Sequence, residues 1–218
     1  MRTRTTTAAA AALTTTAVLL LSACGGGSDS AGNDKIAGAD TGASASASPS
    51  PSASADGIKR PEIKLPSDIQ NVFEGGTTGD PKKDAVLADN ERRINSITEA
   101  ITVDAKEHPA LKFYSKDGAL LSAASFIKAF YDKNRSYAGK ARYYDREVKI
   151  LSDGVAAVTY CEDGTQTFPK DRKTGKVDRS VKGSASDYVF YNTRLERSAQ
   201  GVWQTTSVSS TEAAKRCM

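Results

Sequence analysis

The chain predicts an α+β domain in which N-terminal helices pack on a curved four-stranded antiparallel meander, preceded by a signal peptide and a disordered tether. Two patterns along the 218 residues carry that reading. Apolar residues recur at helical spacing from Asp80 to about Asn134, then at a period of two from Lys140 onward. Helices first and a meander afterwards is the order of an α+β fold with its helices on one face of the sheet. A third observation bounds the domain: up to about residue 60 the chain lacks the composition to build a core.

At the N-terminus, Arg2 and Arg4 precede an apolar run from Ala8 to Leu21 that only Thr14 to Thr16 interrupt, the layout of a secretory signal over 1–23. A spanning helix needs roughly 20 apolar residues and this run is shorter. Leu21-Ser22-Ala23-Cys24, followed by Gly25-Gly26-Gly27, resembles the lipobox of bacterial lipoproteins. The resemblance implies diacylglycerol on the Cys24 sulfur, cleavage ahead of it, and a protein anchored on the extracytoplasmic face of the cell membrane. Two or more acyl chains hold a protein stably where one holds it marginally, so a lipidated Cys24 is sufficient as an anchor.

Residues 24–60 form the expected tether. Ala43 to Ala55 contains only Ala, Ser and Pro, which bury too little apolar surface to offset the entropy of ordering. As flexible coil, such a segment spans on the order of 40 Å. Apolar residues return at Ile58, Ile63, Leu65, Ile69, Val72 and Phe73, irregularly spaced and punctuated by Pro61, Pro66 and Gly75-Gly76. The domain is therefore taken as 61–218, with 61–80 an extended strap lying on it or, alternatively, a sticky end of the tether.

Asp80 caps and Pro81 opens the first helix, which Leu87, Ile94, Ile97 and Ile101 carry to about Val103. A short helix is expected over Pro109 to Tyr114, and a third from a Ser122 cap to Asn134 with a stripe of Phe126, Ile127, Phe130 and Tyr131. Tyr144, Val148 and Ile150 then alternate with charged residues up to a turn at Ser152-Asp153-Gly154, and Val155 to Cys161 returns. After a long loop, Tyr188 to Arg197 and Gly201 to Ser209 form a second hairpin.

Three cysteines are present. With Cys24 lipidated, Cys161 and Cys217 remain, and an exported chain favours a disulfide between them; two buried thiols are the alternative. Cys161-Glu162-Asp163 at the end of a strand, Thr174-Gly175-Lys176 in the following loop, Gly201-Val202-Trp203 opening the last strand and the terminal cysteine together resemble secreted lipoproteins of high-GC Gram-positive bacteria that carry a nuclear-transport-factor-two-like, cone-shaped domain. That resemblance covers roughly 61–218 and implies a fold more than a function.

Catalytic signals are sparse. Enzymes on such cones pair a pocket carboxylate with His, Tyr or Arg for proton transfer. The single histidine, His108, precedes Pro109 at a helix boundary, where a solvated or capping role is expected. Asp145 and Glu147, sharing a face with Tyr143, are the best pocket carboxylates, but Arg142, Arg146 and Lys149 argue for a charged outer face. No calcium-loop or zinc spacing is present and Thr174-Gly175-Lys176 lacks the glycine-rich run of a phosphate loop, so no metal and no cofactor are expected.

Charge concentrates in one place. From Pro81 onward the chain carries twenty-four basic and eighteen acidic residues, and Lys170, Arg172, Lys173, Lys176, Arg179 and Lys182 face only Asp171 and Asp178 within their stretch. Such a loop attracts anionic wall polymer or lipid headgroups in a salt-dependent way, or is simply a solvated loop. Nucleic acid is not expected as a partner. The function expected is a non-catalytic binding or interaction module at the membrane's outer face, whose partner is anionic cell-wall polymer or another envelope protein. The alternative is a carrier or sensor of a small apolar ligand in a pocket lined by Phe113, Phe126, Phe130, Tyr160, Tyr188, Phe190 and Trp203, whose rings otherwise fill a closed core. An enzyme on the same fold is the third reading.

Overall fold

In the computed structural model, which describes residues 56–218, three helices lie against a curved sheet. The signal peptide over 1–23, Cys24 and nearly all of the tether lie outside the described residues. The chain runs β1 (Ile69–Phe73), α1 (Pro81–Thr102), α2 (Pro109–Tyr114), α3 (Asp117–Asp132), β2 (Arg135–Ser152), β3 (Val155–Asp171), β4 (Tyr188–Arg197) and β5 (Trp203–Thr211), and the strands lie side by side in that order. Among the described residues no helix is long and apolar enough to cross a membrane.

The sheet has five strands rather than the expected four. The strap is ordered, and its β1 adds to the edge of β2 in parallel, Ile69 opposite Gly139 and Phe73 opposite Tyr143. Alternation is hidden in the sequence because the inward position between Ile69 and Phe73 is taken by Asn71, which is buried and donates to Asn95 Oδ1 at 2.8 Å and Thr98 Oγ1 at 2.9 Å on α1. Gly139 is required where β2 meets β3: its φ is +113°, and a Cβ there would stand 2.1 Å from the Gln166 carbonyl oxygen.

Helix α1 begins as the sequence indicates. The Asp80 carboxylate accepts from the amides of Lys82 at 2.9 Å and Lys83 at 3.4 Å, and Pro81 occupies the first turn. At its other end the Ile101 carbonyl accepts from Ser136 Oγ at 3.3 Å and from Arg172, covering a carbonyl that has no partner within the helix. Helix α3 is capped at Lys116, six residues ahead of the expected cap at Ser122. Its entry is set by β5 instead: Ser115 bridges Thr205, and the Lys116 amide donates to the Thr205 carbonyl at 2.9 Å.

The β2–β3 hairpin turns at Asp153-Gly154 as expected, but β3 runs on past Cys161 to Asp171, which pairs with Arg135. Register breaks between Tyr144 and Glu147, where Asp145 adopts φ +49°. This bulge exchanges the faces of β2. Tyr143 is buried before it; after it Arg146, Val148 and Ile150 turn inward while Asp145 and Glu147 are exposed. The face that Tyr143, Asp145 and Glu147 share on paper does not exist, and neither carboxylate lines the cavity between α1, α3 and the sheet.

The main core lies between α1 and the sheet, with Val86, Leu87 and Ile94 against Tyr143, Val158, Tyr160, Leu195 and Trp203. A second cluster joins the end of α1 to α3 through Ile101 and Ile127. Ile58, just ahead of the strap, and Ile63 within it pack on Ala110, Tyr114 and Val202. Cys161 and Cys217 are bridged, with Cα atoms 5.5 Å apart, in a cluster with Tyr144, Tyr188 and Phe190. Closing a loop of 56 residues is worth about 4 kcal/mol in the chain-entropy description.

Asp89 of α1 is 1% exposed and accepts from Arg92 Nη1 at 2.9 Å and the Trp203 amide at 2.9 Å, with Nε of Arg60, just ahead of the strap, 3.6 Å away. Removing one partner from a buried charge cluster leaves the others uncompensated. Asp89→Ala should therefore lower the unfolding free energy by about 3–5 kcal/mol in urea denaturation. Asp132→Ala, which removes an exposed pair with Lys128, should cost far less; equal losses would show that the Asp89 cluster is not a structural tie.

Candidate functional site

Between α1, α3 and the inner face of the sheet lies a cavity of about 620 Å³. Its walls follow from local periodicity. Helix α1 presents Arg93, Ile94, Ile97 and Thr98; α3 presents Ala123, Phe126 and Phe130; and β2, β3 and β4 contribute Tyr137, Tyr143, Tyr160, Glu162 and Tyr191. Phe126 and Val181 are exposed at its mouth, beside Lys182 and Glu212.

The lining is aromatic. Phe126 and Phe130 meet edge to face at 5.2 Å, Phe130 stands 5.7 Å from Tyr137, and Tyr160 stacks on Tyr191 at 5.0 Å and meets Tyr143 edge to face at 6.1 Å. The phenol of Tyr137 donates to Thr98 Oγ1 at 3.1 Å, and burial pushes its pKa up to about 12.

Glu162 is the carboxylate of this cavity. It lies two residues beyond Tyr160 on β3, so the strand period places both on the inner face and turns Cys161 to the other side. Its Oε1 accepts from Tyr143 at 3.3 Å, and Tyr191 also donates to it. Burial pushes the carboxyl above its ordinary range, and the two phenol bonds oppose the shift without cancelling it. Burial, together with the charge of Glu162, holds Tyr143 and Tyr191 well above the usual phenol value, so both remain donors. On the opposite wall, Arg93 donates from Nε to Ser115 Oγ at 3.2 Å. A carboxylate with a raised pKa, two protonated phenols and a guanidinium around an apolar space suit recognition of a small molecule with a few polar atoms.

The residues singled out in the sequence divide. Phe126, Phe130 and Tyr160 line the cavity. Phe113 of α2 packs with Ile58, Ile63 and Val202, Tyr188 and Phe190 cover the disulfide, and Trp203, 2% exposed, fills the main core, so these four rings are not on the wall. The basic stretch is partly engaged: Lys170 pairs with Asp68 at 2.7 Å, Arg172 covers the Tyr131 ring at 3.7 Å, and Arg179 lies over Phe168 at 5.1 Å. Lys173 and Lys176 are exposed, and Lys182 stands at the cavity mouth. His108 occupies the cap position of α2, yet its side chain makes no capping bond. Among the described residues no three His, Cys, Asp or Glu side chains gather as metal ligands.

No family model matches the chain, and no curated protein does. Among solved structures it is similar to a ketosteroid isomerase-like protein from Erwinia carotovora atroseptica, at 17% identity and a TM-score of 0.41 over 62% of this chain and 98% of that one. It is also similar to the intermembrane space region of the chloroplast protein ARC6, at 16% identity and a TM-score of 0.40 over 59% and 97%. A third likeness is to a hexachlorocyclohexane dehydrochlorinase, LinA-type3, from Novosphingobium barchaimii, at 12% identity and a TM-score of 0.34 over 59% and 90%.

The raised carboxyl of Glu162 has a sign that can be tested. A carboxyl whose folded pKa exceeds its unfolded value favours folding below the unfolded pKa, and that contribution is lost as pH rises through the folded value. Glu162→Gln, which cannot ionise but still accepts from both phenols, should thus raise the melting temperature at pH 7.5 relative to the unmodified protein. The gain should shrink by pH 4, near the ordinary carboxyl value. A gain that is absent at pH 7.5, or larger at pH 4, would contradict the placement of Glu162.

Proposed function

We propose that the domain over 61–218 binds a small, largely apolar molecule in its cavity, as a carrier or sensor, and that a lipid on Cys24 holds it at the extracytoplasmic face of a membrane. The cavity is the observation that supports binding: about 620 Å³ of open, ring-lined space falls in the range of small-molecule sites. A module that works through its surface alone has no use for it. The anchor rests on Leu21-Ser22-Ala23-Cys24 and on the chemistry of an exported chain, with which the Cys161–Cys217 bridge is compatible.

Glu162 favours catalysis as a second reading, since a carboxyl with a raised pKa facing a cavity is suited to proton transfer. Turnover of a bound compound that Glu162→Gln abolishes without loss of binding would replace the carrier role.

A neutral hydrophobic fluorophore, N-phenyl-1-naphthylamine, should bind one per chain with a rise in emission. Val208→Trp, which places an indole in the cavity from a half-buried position on β5, should weaken that binding tenfold or more while the protein remains folded by circular dichroism. No binding to the unmodified protein, or equal binding to the variant, would defeat the ligand reading. For the anchor, Cys24→Ala expressed in a bacterium should leave the membrane fraction and lose its lipid by intact-mass measurement; unchanged membrane retention would refute lipidation.

A further inference from the structure

The guanidinium of Arg93 is a buried charge on the cavity wall that has no ion-pair partner among the described residues. Other buried arginines around α1 are paired: Arg92 is held by Asp89 at 2.9 Å, and Arg146 by Glu91 at 2.5 Å. Arg93 is 5% exposed and lines the cavity, and among the described residues it enters no ion pair; its recorded partner is the neutral hydroxyl of Ser115. Glu162 does not compensate it, because that carboxylate is engaged by Tyr143 and Tyr191. A guanidinium stays charged under all physiological conditions and offers five donors in a planar fork, of which the Ser115 contact uses one. Buried charges are normally paired, since taking one out of water alone is costly.

We propose that the cavity takes an amphipathic organic anion, an aromatic or alicyclic monocarboxylate whose acid group seats on Arg93 and whose apolar body lies against Phe130, Tyr137 and Tyr160. This rests on the ligand-binding reading above and names the class of ligand. A planar carboxylate matches the fork of an arginine with two parallel hydrogen bonds. The rings supply the apolar contact, and a cavity of about 620 Å³ has room for a two-ring acid. The far wall sets specificity: a second carboxylate on the ligand would meet Glu162, so diacids are rejected. Arg135 and Lys182 also line the cavity and favour the entry of an anion, while Asp187 and Glu212 oppose it.

The experiment compares 2-naphthoate with 2-naphthamide, which share a ring system and differ in charge, by calorimetric titration of the full-length protein. The acid should bind about tenfold or more tightly, the scale of a charge-assisted hydrogen bond. Arg93→Met should erase that preference and still bind the amide, whereas Arg135→Gln and Lys182→Gln should each retain most of it. A preference that is absent, or that survives Arg93→Met, overturns the proposal. Should Arg93→Met fail to fold, the Nε–H resonance of Arg93 in the unmodified protein serves instead: it should shift with the acid and not with the amide, and an unmoved resonance overturns the proposal. Binding of N-phenyl-1-naphthylamine without any preference for the acid defeats this inference alone. Failure of N-phenyl-1-naphthylamine to bind defeats the ligand reading beneath it, and this inference with it.

Discussion

A carboxylate almost without contact with water ties this domain together. Asp89 of α1 receives Arg92 from its own helix and the backbone amide of Trp203 at the start of β5, and Arg60, just ahead of the strap, lies beside it. Three parts of the chain far apart in sequence thus meet at one side chain. Val202 and Trp203, which fill the cores beneath α2 and α1, are registered by that amide bond. The same contact sets the rotation of α1 about its axis. One turn further along, on the same helical face, stands Arg93. With Asp89 pinned to β5, Arg93 is directed over the sheet.

Where the sequence could be read, it was because local chemistry decided the outcome. Asp80-Pro81 opens α1 through its own side chain and ring, Asp153-Gly154 turns β2 into β3, and α2 occupies the residues its pattern marks. The rest depended on partners distant in sequence. Whether the strap becomes a strand is decided by the open edge of β2, and Asn71 at an inward position conceals the period. The bulge at Asp145 is invisible in the pattern of residues, yet it determines which half of β2 turns toward the interior. Aromatic type alone does not separate a cavity wall from a closed core or from the cover of a disulfide, which is why Phe113, Tyr188, Phe190 and Trp203 lie elsewhere.

Two residues central to the cavity had a signal in the sequence. Glu162 has the same parity as Val158 and Tyr160 on β3, so extending the strand beyond Cys161 turns it inward. Arg93 falls on the row Val86, Asn90, Arg93, Ile97, Ile101, whose spacing is that of an inward helical face, although charge suggests an outer position. Polar residues at inward positions contradict the local rule for building a core, and such contradictions concentrate where a protein meets something other than itself. Here they stand on facing walls, with rings between them and small residues, Ala123 and Ala141, leaving the space unfilled.

The parallel attachment of the strap also has a mechanical side. Any tension arriving along the chain from its N-terminal side reaches Asp56 and Arg60, joined by two hydrogen bonds of 2.7 Å, before it reaches β1. Arg60 passes the load to Asp89, and Ile58 and Ile63 pass it to the α2 cluster, so the helices take the strain first. At the other end, Cys217 is bonded covalently to the middle of the sheet, and the last residues cannot peel away. The strands that wall the cavity lie off this load path, and a pull on the leading end falls on α1 and α2 rather than on the sheet.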